Sequence, residues 1–180
     1  TSRYDTNSGK FIKIKNRIGL LDRKLRIINE NVSESNEWVE VAKSAYKNTY
    51  AYEWQGDSLL LARESMLYTF IENYKHKFGK EPLLKSIKDI AEIISWNVWQ
   101  MDGLKGVVPL SCEEVKTKTV SLFGEEKTHK SFCKGCLNGN VFKHNGVYSL
   151  IMDWSETDLK GKKTRFIDLL QNKHKSINGK

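Results

Sequence analysis

Residues 44–59 read Ser-Ala-Tyr-Lys-Asn-Thr-Tyr-Ala-Tyr-Glu-Trp-Gln-Gly-Asp-Ser-Leu, and this stretch decides how the fold is predicted. The pattern predicts a strand over residues 49–54 with Glu53 near its end, a tight turn, and a helix that begins at Asp57. In an open α/β sheet, ligands bind outside the carboxyl ends of the strands. A carboxylate at that position can accept both hydroxyls of a ribose, so Glu53 is a candidate nucleoside-binding residue.

A second acidic residue follows a second predicted strand. Residues 97–101 are expected to form a short strand that ends at Asp102-Gly103. Two neighbouring parallel strands would place Glu53 and Asp102 side by side at one edge of a sheet, where one could hold a ribose and the other an adenine amino group. The alternative is that each carboxylate caps a turn or a helix. Trp54 could cover the adenine ring, although core packing is the simpler interpretation of the tryptophans.

Apolar residues recur at helical spacing in four segments of the first hundred residues. The spacing predicts helices over residues 18–31, from Ser33 or Ser35 to Tyr46, over 57–78 and over 87–95. The inner faces are expected to include Trp38, Val41, Ala42 and Ala45 on the second helix, and Leu60, Leu61, Met66, Leu67, Phe70, Ile71 and Tyr74 on the third.

The second half of the chain is β-like and rich in turns. Asn145-Gly146 predicts a hairpin that pairs residues 142–144 with 147–153. Residues 164–171 fit a strand or a helix equally well. We therefore predict an α/β fold, with a partial Rossmann-like sheet and flanking helices over residues 1–105, a small β-rich segment over 106–172, and a polar tail over 173–180.

Two stretches resemble conserved blocks of the adenine-N6 DNA methyltransferases of restriction–modification systems. Tyr50-Ala-Tyr-Glu-Trp-Gln-Gly-Asp-Ser-Leu-Leu-Leu-Ala-Arg63 is similar to the second block, and Ile94-Ser-Trp-Asn-Val-Trp-Gln-Met-Asp-Gly-Leu104 is similar to the third. The likeness extends over about residues 18–105. It implies a methyltransferase-type sheet that binds S-adenosylmethionine, with Glu53 on the ribose and Asp102 on the adenine amino group. In this resemblance Asp5 and Gly9 stand in a shortened form of the loop that wraps the methionine part of the cofactor.

The resemblance stops before the catalytic loop of that family. Such enzymes flip an adenine out of the duplex and hold its amino group with an Asn-Pro-Pro-aromatic loop. The two prolines of this sequence, Pro82 and Pro109, are not adjacent. The resemblance therefore implies the cofactor-side portion of a methyltransferase, with no catalytic residue in this chain and with another methyltransferase or restriction subunit as a candidate partner. The alternative is a non-enzymatic, basic, zinc-supported DNA- or protein-binding module derived from such an enzyme, acting in phage–host conflict.

Cys133-Lys-Gly-Cys136 is the third feature of interest. A spacer of two residues lets both thiolates bind one zinc ion, and glycine supports the tight turn between them. Further candidate ligands are Cys112, His129 and His144. The alternatives are reduced thiols in a surface turn or a redox pair, although no strand–CxxC–helix pattern surrounds the motif.

Composition limits the class of protein. The chain has 180 residues with 39% apolar residues, which is enough for a globular core. The net charge of +8 fits either a basic solvated surface or a DNA partner. No apolar run approaches the roughly 20 residues of a membrane span, and the polar first residues lack the apolar core of a signal peptide. These observations predict a cytoplasmic protein without a membrane partner.

Overall fold

The computed structural model describes residues 3–120, 126–155 and 161–170, with the backbone alone described at 115–120 and 126–129. Its internal contacts divide the chain into two compact units. The first unit comprises Thr1–Ala51 and Gln55–Trp99, and the second comprises Tyr52–Trp54 and Gln100–Lys180. The sequence-based boundary stands at residue 105, and the predicted tail over 173–180 lies outside the described residues.

The first unit is built from helices. They are a short 3-10 helix at Ile14–Asn16, α1 at Leu20–Asn31, α2 at Ser35–Lys47, α3 at Gly56–Phe78 and α4 at Leu84–Asn97. The helices predicted from apolar spacing therefore form, with ends that shift by at most three residues. Each of them buries an apolar side against its neighbours, as amphipathic helices do.

Trp38 lies at the centre of the first unit and is fully buried. Its ring lies 5.6 Å from that of Phe70 and 5.5 Å from that of Tyr74, measured between centroids. Its indole N–H donates a 2.8 Å hydrogen bond to the side-chain oxygen of Asn29. Nearby, the buried hydroxyl of Tyr46 donates to the Met66 carbonyl at 2.8 Å. The aromatic core therefore satisfies the polar atoms that it takes out of water.

Three residues predicted on inner faces are exposed to solvent. Leu60 and Leu61 of α3 are 67% and 64% exposed, and Val41 of α2 is 38% exposed. The prediction was wrong at these positions because adjacent helical residues point about 100° apart. Met66, Phe70 and Tyr74, also predicted on the inner face, are buried on α3 at intervals of four residues, as expected.

The strands form three two-stranded sheets within the described part of the chain. They are β1 at Ala51–Glu53 with β2 at Val98–Gln100, β3 at Val115–Val120 with β4 at Glu126–Ser131, and β5 at Leu150–Asp153 with β6 at Lys162–Arg165. The last two pairs are antiparallel. The fold is thus mixed α/β with small sheets, and the larger Rossmann-like sheet is not among the described residues.

The predicted hairpin around Asn145-Gly146 is wrong. Residues 141–146 form turns and bends, and β5 pairs with β6 in the register Leu150 with Arg165 through Asp153 with Lys162. The undecided stretch after residue 163 contains both structures, because β6 ends at Arg165 and residues 166–170 are helical. A short helix, α5 at Lys134–Asn138, begins directly after Cys133.

Among the helices of the described residues, none combines the length and the apolar character needed to cross a bilayer.

Candidate metal centre

Three cysteines and one histidine of the second unit converge on a single point. The thiols of Cys112, Cys133 and Cys136 and a ring nitrogen of His144 all lie within 4.8 Å of one another. The Nδ1 atom of His144 is 3.5 Å from the Cys112 sulfur, 3.5 Å from the Cys133 sulfur and 3.6 Å from the Cys136 sulfur. This group could hold a metal ion.

The three nitrogen–sulfur distances fit the edges of a zinc tetrahedron. With Zn–S bonds of about 2.3 Å and Zn–N bonds of about 2.0–2.1 Å, tetrahedral angles separate the sulfur and nitrogen ligands by about 3.6 Å. Thiolate and imidazole are also ligands that zinc binds well, whereas magnesium and calcium bind oxygen ligands. Four protein ligands close the coordination shell, which is the arrangement of a structural site and leaves no position for a substrate.

The turn between Cys133 and Cys136 is shaped by close contact with the histidine segment. A Cβ atom at Gly135 would lie 2.6 Å from the backbone nitrogen of His144 and 2.7 Å from its ring. Only glycine fits this approach. The Asn145 N–H donates to the Cys133 sulfur at 3.3 Å, and the Leu137 N–H donates to the Cys133 carbonyl at 3.0 Å. One backbone N–H therefore contacts the Cys133 sulfur, and another holds the Cys133 carbonyl at the start of α5.

Asn145 also places the segment that carries Cys112. Its amide nitrogen donates to the Glu113 carbonyl at 2.9 Å, and its side-chain oxygen accepts from the Glu113 N–H at 3.3 Å. A Cβ atom at Gly146 would lie 3.0 Å from both the backbone nitrogen and the sulfur of Cys112. The Asn-Gly pair, taken at the sequence level as a hairpin turn, thus joins the Cys112 segment to the histidine segment.

The cysteines differ in their acidity. Burial opposes ionisation of Cys133, but the N–H groups of Asn145 and Cys136 and the His144 ring outweigh it and lower the pKa of the thiol to about 6. Burial and the neighbouring thiols of Cys136 and Cys133 raise the pKa of Cys112 to about 11. Because three adjacent thiolates repel one another, a divalent cation is the group that would let all of them ionise together.

Lys105 supplies positive charge beside the thiols, and no motif in the sequence pointed to this residue. Its pKa is raised by the hydrogen bond to Asp102, against some desolvation, and also by negative charge at Cys136 and Cys112. The ammonium lies 3.4 Å from an Asp102 carboxylate oxygen. A zinc ion with three thiolates and a neutral imidazole carries a net charge of −1, which a nearby ammonium would offset.

His129 is the remaining metal-ligand candidate from the sequence. It lies in β4, where its backbone pairs with Thr117. Its side chain is outside the described part of the chain, and the four converging residues already supply a complete tetrahedral set.

The strand ends that carry Glu53 and Asp102 lie next to each other. The Met101 N–H, directly after β2, donates to the Glu53 carbonyl at the end of β1 at 3.0 Å. The Glu53 carboxylate accepts from the Trp54 N–H at 2.8 Å. The buried Asp102 carboxylate accepts from the Leu104 N–H at 3.0 Å and pairs with Lys105. Both carboxylates therefore make the local turn contacts that the sequence left open as an alternative to nucleoside binding.

Two of the other candidate cofactor-binding residues, Asp5 and Gly9, also make hydrogen bonds within a local turn. Asp5 accepts from the N–H and hydroxyl of Ser8, both at 2.8 Å, and these bonds lower the pKa of its carboxyl. The Gly9 N–H donates to the Asp5 carbonyl at 2.8 Å, which closes a tight turn between Tyr4 and Phe11. The Trp54 side chain is 45% exposed. The roles of Asp5, Gly9 and Trp54 toward a cofactor stay predictions.

Comparison of the chain with models of known protein families, with curated proteins and with solved structures found no match.

Proposed function

We propose that this protein is a zinc-stabilised, basic DNA-binding module, in which one zinc ion bound by Cys112, Cys133, Cys136 and His144 holds the binding surface together. The observation that carries the proposal is the set of nitrogen–sulfur distances of 3.5, 3.5 and 3.6 Å around His144 Nδ1. These distances match the nitrogen–sulfur edges of a tetrahedral zinc shell.

Positive charge around the centre supports DNA as the partner. Lys134 and Lys143 are exposed, and each is adjacent in sequence to a proposed zinc ligand. Exposed Lys162, Lys163 and Arg165 follow on β6 of the same unit. Together with the net charge of +8, these residues fit a polyanion whose bound counterions are released on contact.

The test has two arms on the full chain. Elemental analysis of protein purified without added metal should give one zinc per chain, and X-ray absorption should give three sulfurs at about 2.3 Å and one nitrogen at about 2.0–2.1 Å. Duplex DNA affinity, measured by fluorescence anisotropy, should fall steeply as salt rises, with a slope of roughly −0.9 per phosphate contacted. Protein that binds no zinc, or DNA affinity that is flat with salt, would contradict the proposal.

A second candidate function is the cofactor-binding portion of a DNA adenine-N6 methyltransferase. The hydrogen bond from the Met101 N–H to the Glu53 carbonyl favours it, because it sets the ends of β1 and β2 side by side. In this reading Glu53 holds the ribose and Asp102 the adenine amino group of S-adenosylmethionine, and a second subunit supplies the catalytic loop.

Calorimetry with S-adenosylmethionine decides this second candidate. Binding that Glu53→Gln weakens at unchanged melting temperature would support it. Because Asp102 is buried, its test is Asp102→Asn, which keeps an acceptor for the Leu104 N–H. Absence of binding by the wild-type chain, with zinc and salt-dependent DNA affinity retained, would reject the cofactor role and leave the first proposal intact.

A further inference from the structure

Two phenyl rings stand exposed beside the metal centre. Phe132 is 64% exposed although the next residue, Cys133, is buried, and Phe142 is 40% exposed two residues before His144. Large aromatic side chains usually lie in a core or at a binding surface. Both rings are therefore exposed to solvent within two residues of a proposed zinc ligand.

The two chain segments that carry these rings meet at the centre. The carbonyl of Lys143 lies 4.0 Å from the Cys133 sulfur, and the Asn145 N–H donates to that same sulfur at 3.3 Å. On the Phe142 side, the backbone N–H of Phe142 donates to the Asn140 side-chain oxygen at 3.0 Å. One zinc ion would therefore order both aromatic residues at once.

Each ring has an exposed lysine within two residues of it in the sequence. Lys134 follows Cys133, and Lys143 lies between Phe142 and His144. Lys130, also exposed, is two residues before Phe132. Aromatic side chains interleaved with lysines are the combination that binds single-stranded nucleic acid, because bases stack on the rings while ammonium groups contact the phosphates.

The geometry points to single-stranded DNA as the ligand of this surface, with Phe132 and Phe142 stacking on unpaired bases and Lys134 and Lys143 contacting the backbone. The inference rests on the proposed DNA-binding function and names its substrate class. In a duplex the base faces are already stacked on one another, so exposed rings add affinity only for unpaired bases. The lysines contribute to both forms of DNA.

The test compares a labelled 12-nucleotide single strand with its duplex by fluorescence anisotropy. The wild-type chain should bind the single strand more tightly. Phe132→Leu and Phe142→Leu keep an apolar side chain but remove the π face, and each should weaken single-strand binding about tenfold while duplex affinity stays unchanged. Leu104→Ala, at a residue that is 89% exposed, is the matched control and should leave both affinities unchanged.

Charge variants separate stacking from electrostatics. Lys134→Gln and Lys143→Gln should weaken both forms of DNA and lower the salt slope by about one each. Zinc content should remain at one per chain in all variants, since none removes a ligand.

The outcomes distinguish this inference from the proposed function. Zinc-loaded protein that binds single strand and duplex equally, or phenylalanine variants that behave like wild type, would overturn the single-strand inference alone. A wild-type chain that contains no zinc or binds no DNA would overturn both the single-strand inference and the proposed function. Binding of a protein partner by the exposed rings, without any preference for unpaired DNA, would also count against it.

Discussion

The helical unit and the unit that carries the candidate metal centre differ in what can stabilise them. In the first, Trp38, Tyr46 and Phe70 are completely buried at the centre of four helices. In the second, small sheets and turns surround four potential metal ligands, and among the described residues a smaller set of apolar side chains, including Met101, Val107 and Ile151, is buried. Apolar burial can hold the first unit, whereas a metal ion bound by these four residues would add coordination bonds to the smaller apolar core of the second.

Removal of the metal should have the largest effect and should act on one unit only. Structural zinc contributes about 10–16 kcal/mol of apparent binding free energy in small domains. Chelation, or Cys133→Ser, should abolish the dispersed amide signals of residues around the centre while the helical circular dichroism of α1–α4 persists. Two-dimensional NMR with elemental analysis measures both. Unchanged spectra after chelation would show that the second unit does not need metal.

Truncation of the central tryptophan should destabilise the helical unit and leave the unit with the candidate metal centre unchanged. Trp38→Ala removes the largest buried side chain of the helical unit and leaves the Asn29 side-chain oxygen without its donor. We expect a loss of about 3–5 kcal/mol in the free energy of unfolding, measured by urea denaturation. Zinc content should not change. A loss of zinc in this variant would contradict the independence of the two kinds of stabilisation.

An ion-pair cluster in the helical unit should make its stability depend on pH. Arg17, fully buried, donates to Glu72 at 2.6 Å, and Arg3 donates to the same carboxylate at 3.2 Å. Burial disfavours the charged carboxylate, but these two hydrogen bonds outweigh it and lower the pKa of Glu72 below its ordinary value of 4.5. Its stabilising contribution is therefore complete above about pH 4.5 and is lost as the pH falls through the lowered pKa.

Glu72→Gln should consequently cost about 3 kcal/mol at pH 7, because a buried guanidinium loses its counter-charge. The difference from wild type should shrink at pH 3. Glu81→Gln is the control, since the Lys75–Glu81 pair is exposed and should contribute at most about 1 kcal/mol. Urea denaturation at both pH values measures the effect, and a constant difference between wild type and Glu72→Gln would exclude the predicted titration.

The smallest expected effect comes from one methyl group at the metal turn. Gly135→Ala would place a carbon 2.6 Å from the His144 backbone, so the histidine segment must shift. We expect a loss of about 1–3 kcal/mol and weaker zinc retention against a competing chelator. Gly56→Ala is the matched substitution in the helical unit, where no atom lies within 4 Å, and it should leave stability nearly unchanged. Equal losses of stability in Gly135→Ala and Gly56→Ala would show that the close contact at Gly135 does not matter.

Helices were the elements most accurately predicted from the sequence, because their apolar residues recur at a regular local spacing. The helix from residue 57 to 78 could be predicted because its apolar spacing follows the helical period, and α3 begins at Gly56 and ends at Phe78. The orientation of Leu60 and Leu61 could not be predicted, because it depends on which neighbour packs against α3. Periodicity identifies a helix more securely than it identifies the side of the helix that is buried.

The ligands of the candidate metal centre could be predicted only in part from the sequence, for a related reason. The CxxC spacing is local, so Cys133 and Cys136 stand out in the sequence. The set of companion ligands depends on contacts between distant segments, such as the pair of hydrogen bonds from Asn145 to Glu113. The same Asn-Gly signal that suggested a hairpin belongs to the loop that brings Cys112 and His144 together. The cofactor roles of Glu53 and Asp102 stay predictions for calorimetry to decide.

The order of the ligands along the chain has a practical consequence. The segment between Cys112 and Cys133 contains the antiparallel strands β3 and β4. The two cysteines that flank this segment lie in the same cluster of candidate ligands. A metal ion bound by these ligands would therefore close a loop of the backbone much as a covalent crosslink does, and the entropic cost of closing a loop grows only slowly with its length. Protein engineers could lengthen the connection between β3 and β4, or insert a fluorescent reporter there, while the four ligands keep their positions.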